Sequence, residues 1–408
     1  MSTQPTSTLL SPSLSNDNLL LEPSETLCVV TGINGFIARH LAFQLLCKGY
    51  RVVGTIRPPP NEESFPSTDA YILSKLPYIN HWLQIFENQL SIQVIDFTQD
   101  ENAKTLEKIF EGAYCVFHTA SPVFFNSEPP SEEEAEEMYY KPAVNGTRLV
   151  LEACETSKVT RVVLTSSTAT LFNPYNPPRS GIVSECDWNQ SSKLTDAMGA
   201  YRISKVKAER FAWEFCRYLT SSHKIQLVTV LPTFVIGPPF PNKKSVLTSS
   251  ILEIYKILLQ NEDTSIVFNS DNVGIVDVRD VANCHILAME KRQAKGNRFI
   301  CCHSTRNYVE TFNRIAQVFR EDFHVENVNF LPIYDSNSTG EFSIQMKKID
   351  GSKAEKTLGL KYTPFERTIR DMCQSFAELK FVNSRPSRED EKTSQRERYT
   401  VMTDTLFP

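Results

Sequence analysis

The sequence predicts an α/β fold: a doubly wound parallel sheet covered by helices on both faces. Three observations carry that reading. Short apolar runs alternate with segments of helical period along most of the chain. The runs are apolar throughout rather than alternating, as strands buried on both faces require. A glycine-containing turn joins the first run to the first helix.

The elements follow in order. Residues 27–31 (LCVVT) form a short buried strand, and the turn Gly32 to Gly35 follows it. Over 37–48, Ile37, Leu41 and Leu45 fall on one helical face. Gly49 stands where a helix-ending glycine belongs. Strand 51–56 comes next, then strand 91–95, helix 103–110, strand 113–119, helix 132–157, strand 161–166, helix 201–220 and strand 226–231. Ser131 is a good N-cap, and the acids from Glu132 to Glu137 favour a first helical turn, so they receive no catalytic role.

Composition narrows the function classes. The 408 residues are 41% hydrophobic and 22% charged, which fits a protein with a real core. The net charge of −5 argues against a general nucleic-acid binder. No apolar stretch reaches the ~18 residues that span a bilayer. The ten cysteines form no CxxC pair, and the vicinal Cys301–Cys302 cannot bridge without strain, so reduced thiols in a cytoplasmic setting are expected. Residues 1–26 lack a basic n-region and a sustained apolar h-region and read as a flexible arm. Residues 383–408 read as a disordered charged tail. The domain between them is expected to span 27–382.

The junction after the first strand reads TGINGFIA at 31–38. Gly32 and Gly35 allow a tight turn against a pyrophosphate, and Ala38 lets helix and strand pack closely. Asn34, Phe36 and Ile37 share this loop, and the free N–H groups of the helix start face the anion. This is a Rossmann-type nucleotide site. A NAD binder places an acid at the end of the second strand, yet no acid lies between Gly49 and Asn61. Arg57 stands there instead, and a guanidinium pairs well with a 2′-phosphate. NADPH is therefore the expected cofactor. Asp96 could accept from the adenine amino group, with Phe97 beside it. The small residues Ala120 and Ser121 leave room where the 113–119 strand passes under the cofactor.

Tyr201 and Lys205 form a YxxxK element, one helical turn apart on one face. An ammonium beside a phenol favours the phenolate and lowers the phenol's pKa. Tyr201 can then act as general acid toward a carbonyl oxygen, with Lys205 holding a ribose. Upstream, TSST at 165–168 ends a buried strand, and by alternation one of Ser166 and Ser167 faces the site.

From about residue 27 to 379 the chain resembles an extended short-chain dehydrogenase/reductase of the dihydroflavonol 4-reductase-like group. That group includes cinnamoyl-CoA reductases and the methylglyoxal/isovaleraldehyde reductase of yeast. The matching blocks are TGINGFIARHL at 31–41, GTIRP at 54–58, HTASPV at 118–123, KPAVNGT at 141–147, RVVLTSS at 161–167, YRISK at 201–205, LPTFVIGPP at 231–239 and VDVRDVANCHILAME at 276–290. The resemblance implies a catalytic triad of Ser167, Tyr201 and Lys205. It implies cofactor contacts at Gly32, Gly35, Phe36, Ile37, Arg57, Asp96, Phe97, Ala120 and Ser121. Val235 matches a backbone contact to the carboxamide, and Ser250 a further cofactor contact. It implies hydride transfer between the nicotinamide and an aldehyde or ketone, with secondary metabolism as one setting. Ala143 stands where many extended members carry Asn, and Asn61 where some NADP-binding relatives carry Lys.

The resemblance also implies a smaller C-terminal substrate part, mainly about 240–275 and 300–382. Phe124, Phe125, Tyr175, Trp188 and Phe240 are the pocket candidates, each competing with a plain core role. The expected partner is a small apolar or aromatic carbonyl compound, with no nucleic acid and no membrane, in a monomer or homodimer. Two other functions compete. One is a NAD-dependent hydroxysteroid or sterol-type dehydrogenase, which the missing acid after the second strand disfavours. The other is a cofactor-sensing protein without turnover, which the retained Ser167, Tyr201 and Lys205 disfavour.

Overall fold

The structure is a computed structural model that describes residues 19, 21–59, 67–76, 78–121, 129–174, 176–196, 198–240, 249–260, 272–331 and 348–379. In chain order the elements are β1 Leu27–Thr31, α1 Phe36–Cys47, β2 Arg51–Ile56, α2 Thr68–Lys75, α3 Ile79–Ile85, β3 Leu90–Val94, α4 Ala103–Phe110 and β4 Ala113–His118. Next come α5 Glu132–Ala135, α6 Lys141–Thr156, β5 Arg161–Thr165, β6 Ile182–Val183, α7 Gly199–Tyr218, β7 Gln226–Pro232 and β8 Phe234–Ile236. The last are α8 Ser249–Tyr255, β9 Asn272–Asp277, α9 Val278–Glu290, β10 Arg298–Cys301, β11 Ser304–Asn307, α10 Tyr308–Glu321, β12 Lys348–Ile349 and α11 Phe365–Glu378.

The main sheet has seven parallel strands in the order β3-β2-β1-β4-β5-β7-β10. The chain winds outward from β1 in both directions. The reversal between β1 and β4 opens a crevice beyond their carboxyl ends. Thr31 pairs with His118 at that edge. Strands β1, β4, β5 and β7 are almost wholly buried, as a sheet covered on both faces requires.

Helices hold the two faces. On one, Leu41, Leu45 and Leu46 of α1 pack with Val281, Ile286 and Met289 of α9. On the other, Leu106 and Phe110 of α4 pack with Leu149 and Val150 of α6 and Ala212 of α7. Arg161 at the start of β5 is fully buried, and its Nη1 donates to the carbonyls of Ala288, Met289 and Lys291. It thereby closes the C-terminal end of α9, where a cation is favoured.

The helix expected over 132–157 is present as α5 and α6 joined by a π-turn, Glu136–Tyr140. Ser131 caps it through a capping box with Glu134. A second, three-stranded sheet runs β11-β9-β8, and β12 pairs with β6. Of the expected N-terminal arm, the Leu19 N–H donates to the Glu290 carbonyl and Leu21 packs on the core. Residues 1–18 and 20 of that arm and the tail 383–408 lie outside the described residues.

Candidate functional site

A cleft of about 530 Å³ opens at the crevice between β1 and β4. Besides Ser250, thirteen of the catalytic and cofactor residues expected from the sequence line it: Gly32, Asn34, Gly35, Phe36, Ile37, Arg57, Phe97, Ala120, Ser121, Ser167, Tyr201, Lys205 and Val235. Asp96 does not. Arg57, Arg202 and Lys205 are its charged lining residues, and among the described residues no carboxylate lines it.

The glycine loop is built for close approach. Gly32 sits at φ +66°, and a Cβ there would lie 2.8 Å from the Cβ of Ala120. Any other residue would both strain the backbone and push the loop off the β4 extension. Thr31 ties the two together: its Oγ1 accepts from the N–H groups of Thr119 and Ala120 and pairs with His118 Nδ1 at 3.0 Å. Gly35 then enters α1 with extended backbone and no side-chain cap. The first N–H groups of the helix are left facing the cleft side.

Arg57 follows β2 and is more than half exposed, with Nε 3.9 Å from Asp96 Oδ2. Asp96 Oδ1 accepts from the N–H and hydroxyl of Thr98. The sequence reading gave Asp96 an adenine contact. Its carboxylate shapes the 96–98 turn, where Thr98 offers two donors at short range, and faces Arg57. Phe97 is buried edge-on against His118. Gly146 permits this, since a Cβ there would meet the Phe97 ring at 3.3 Å.

The alternation of the TSST strand end is resolved by partners. Ser166 Oγ donates to Glu209 at 2.7 Å inside the protein. Ser167 lines the cleft, its Oγ accepts from the Ala169 N–H to cap a 3₁₀ turn, and its hydroxyl acts to lower the pKa of the Tyr201 phenol. Lys205 Nζ lies 5.9 Å from the Tyr201 ring centroid and donates to the Thr165 carbonyl at 3.3 Å. Serine, phenol and amine, from the turn after β5 and from α7, all line this one cleft.

The electrostatics differ from the sequence expectation at Tyr201. Burial pushes its phenol up, against a hydrogen bond from Ser167 and the Arg202 guanidinium, which pull it down. Burial also lowers Lys205 to about 8, opposed by Glu209. At Tyr201 desolvation outweighs the two favourable contacts, so the phenol stays above its ordinary value. Burial lowers His118 to about 3, helped by Lys205, so its imidazole is neutral.

Val235 and Ser250 are coupled: Ser250 Oγ donates to the Val235 carbonyl at 2.5 Å. Of the pocket aromatics, Phe124, Phe125 and Tyr175 lie outside the described residues, as does Asn61. Trp188 does not line the cleft; the Arg298 guanidinium stacks on it at 3.8 Å. Phe240 does not line it either, being buried among Phe43, Tyr78 and Trp82. Sequence reasoning missed Arg202, Met198, Phe172 and Phe234, all on the cleft wall. Arg202 stands next to Tyr201 in YRISK, yet nothing in helical spacing turns it toward the site.

Comparisons with known proteins agree with this geometry. Residues 28–302 match the model of the NAD dependent epimerase/dehydratase family. The chain is similar to cinnamoyl-CoA reductase 2 of Medicago truncatula, 29% identical over 93% of this chain and 99% of the relative. It is similar to the NADPH-dependent methylglyoxal reductase GRE2 of Saccharomyces cerevisiae, 30% identical over 86% and 98% of the two chains. The solved structure of Gre2 from Candida albicans in complex with NADPH superposes with a TM-score of 0.68 at 28% identity, covering 87% of this chain and 99% of that one. With its glycine loop, its strand order and these relatives taken together, the chain belongs to the NAD dependent epimerase/dehydratase family, within the dihydroflavonol 4-reductase-like extended short-chain dehydrogenases/reductases.

Proposed function

We propose that the protein is an NADPH-dependent reductase that converts an aldehyde or ketone to an alcohol, with Ser167, Tyr201 and Lys205 as its working triad. The observation that carries this is their convergence in one cleft with the glycine loop. The cleft suits a dinucleotide. Gly32 and Gly35 bring backbone N–H groups up to a diphosphate, and Arg57 offers a guanidinium to a 2′-phosphate. Among the described residues the lining has no carboxylate to repel three phosphate groups. The NADPH named for the relatives supports the same choice.

When bound, NADPH supplies the hydride. The chain's own residues do the rest. Ser167 donates to the substrate carbonyl oxygen and orients it toward the phenol. Tyr201 is held protonated by burial and delivers its proton to that oxygen as negative charge develops, which is general acid catalysis. Lys205 places positive charge beside the phenolate that results. Phe172, Pro174 and Met198 give the wall next to Ser167 and Tyr201 an apolar character, which favours an apolar or aromatic carbonyl compound.

The test is a carbonyl panel that includes methylglyoxal and aliphatic and aromatic aldehydes, followed by loss of NADPH absorbance. The wild type should oxidise NADPH with at least one member. Tyr201→Phe should lose about a hundredfold or more in kcat while binding NADPH with unchanged affinity. Equal turnover by Tyr201→Phe on every substrate, or no turnover by the wild type on any, overturns the proposal.

A further inference from the structure

Glu209 is buried at the centre of the molecule, on the same face of α7 as Tyr201 and Lys205, at i+8 and i+4 from them. Five donors surround its carboxylate. Arg298 of β10 contributes Nε at 2.9 Å and Nη2 at 3.1 Å. Thr229 of β7 and Trp213 of α7 donate at 2.9 and 3.2 Å, and Ser166 donates at 2.7 Å. Arg298 in turn donates to the carbonyls of Glu185 and Asp187 and to Thr170 Oγ1. The pair therefore grips both ends of the segment that follows β5.

A buried ion pair is a poor means of stabilising a fold, since apolar residues of the same volume do as well or better. Position gives this one another use. Ser166 immediately precedes Ser167, and successive side chains in extended backbone point to opposite sides. Fixing Ser166 on Glu209 fixes Ser167 toward the cleft. We propose that the Glu209–Arg298 pair positions the triad: it sets Ser167 through Ser166, and it places a negative charge one helical turn from Lys205 that keeps the amine cationic. This rests on the triad reading given above.

The groups that face Lys205 are few. Tyr201 and Glu209 come from its own helix, with Arg202 beside Tyr201. His118 comes from β4. The Thr165 carbonyl comes from β5, and the Thr165 hydroxyl is paired with His285 of α9. Burial lowers His118 to about 3 and His285 to about 4, so both are neutral near pH 7. Glu209, itself paired with Arg298, is then the anion that opposes the loss of the Lys205 proton.

The test uses the full chain with NADPH and the fastest-reduced member of the carbonyl panel. Lys205 acts as a cation, so activity falls as pH rises through its pKa. Without the Glu209 charge that pKa drops. Glu209→Gln should move the alkaline limb of kcat/KM down by about one pH unit. The double replacement Glu209→Met with Arg298→Met, in which neither charge remains buried alone, should move it the same way and serves if Glu209→Gln does not fold. Ser166→Ala should leave the limb in place and lower kcat about tenfold, because only the orientation of Ser167 is lost. Folded charge-neutral variants with the wild-type limb, or Ser166→Ala at the wild-type rate, overturn the inference. Tyr201→Phe, run alongside, separates the two readings. If it is inactive while these variants behave as wild type, only the positioning role falls. If it is fully active, the triad itself falls.

Discussion

Under the proposed function, selectivity for NADPH over NADH rests on one side chain, Arg57. It stands at the carboxyl end of β2, where an acid would accept from ribose hydroxyls, and it is exposed enough to reach a ligand without first leaving a tight protein partner. The Asp96 carboxylate sits 3.9 Å from its Nε, a loose pair that orients the guanidinium without saturating its five donors. A 2′-phosphate can therefore take a bidentate contact that NADH cannot offer. Arg57→Ala should raise KM for NADPH about tenfold or more and leave KM for NADH nearly unchanged. Steady-state kinetics with both cofactors measures this. Equal effects on the two would place Arg57 outside the cofactor's phosphate end. This residue was legible in the sequence because its signal is local: a strand of the first βαβ unit and the residue after it.

Helix α7 carries Tyr201 and Lys205 of the proposed triad, and its start is its strained point. Met198 caps it at φ +56°, a left-handed conformation that costs a non-glycine residue about 1–2 kcal/mol. Gly199 follows, and a Cβ there would lie 2.0 Å from the Lys193 carbonyl oxygen and 3.0 Å from that of Leu194. Backbone oxygens cannot swing aside as a side-chain tip can. Gly199→Ala must therefore displace the start of α7, two residues before Tyr201. It should destabilise the protein by about 2 kcal/mol and lower kcat at least tenfold in the molecules that remain folded. Urea unfolding and single-turnover rates measure the two effects, and an unaltered kcat would show that the helix start does not set the phenol.

The same helix shows how far sequence reasoning reaches. Tyr201 and Lys205 were found from their spacing, because one turn of helix is a local property. Glu209 lies on the same face, yet it gained meaning only from Arg298, 89 residues onward in the chain. Alternation alone left Ser166 and Ser167 open, since it says that two neighbours face opposite ways but not which way the cleft lies; the resemblance chose Ser167, and the Ser166–Glu209 contact gives the physical reason. The main-sheet strands up to β7 and the helices α1, α4, α6 and α7 followed from apolar runs and periodicity, whereas α2 and α3 between β2 and β3 did not. The small sheet of β8, β9 and β11 did not. Its pairings join residues 234–236, 272–277 and 304–307 across long connections, and β11 carries the polar run STRN, which gives no buried-strand pattern.

At the scale of the whole molecule, stability should depend on pH through its buried histidines. His40, His118 and His285 are all buried, and burial lowers them to about 3, 3 and 4. In an unfolded chain each would titrate near 6.5. Between roughly pH 4 and 6.5 the unfolded state therefore binds three protons that the folded state refuses. Asp280 works the other way. Burial and the neighbouring Asp277 raise it to about 7, against donors from Thr363 and the nearby Arg279. In the same window it holds a proton when folded that it would release when unfolded. The difference is about two protons, so unfolding free energy should fall by roughly 3 kcal/mol for each pH unit below 6. The sign is fixed by the count: stability rises with pH wherever the unfolded state binds more protons. Urea midpoints measured from pH 7 down to pH 5 should decline steeply. Substituting His285→Gln, which can still bond Thr165 and the Val281 carbonyl, should reduce the slope by about one half, because it removes one of the net two protons. A flat profile in the wild type would mean that these rings are protonated inside the folded protein, and that the Thr165–His285 contact beneath Lys205 carries a positive charge.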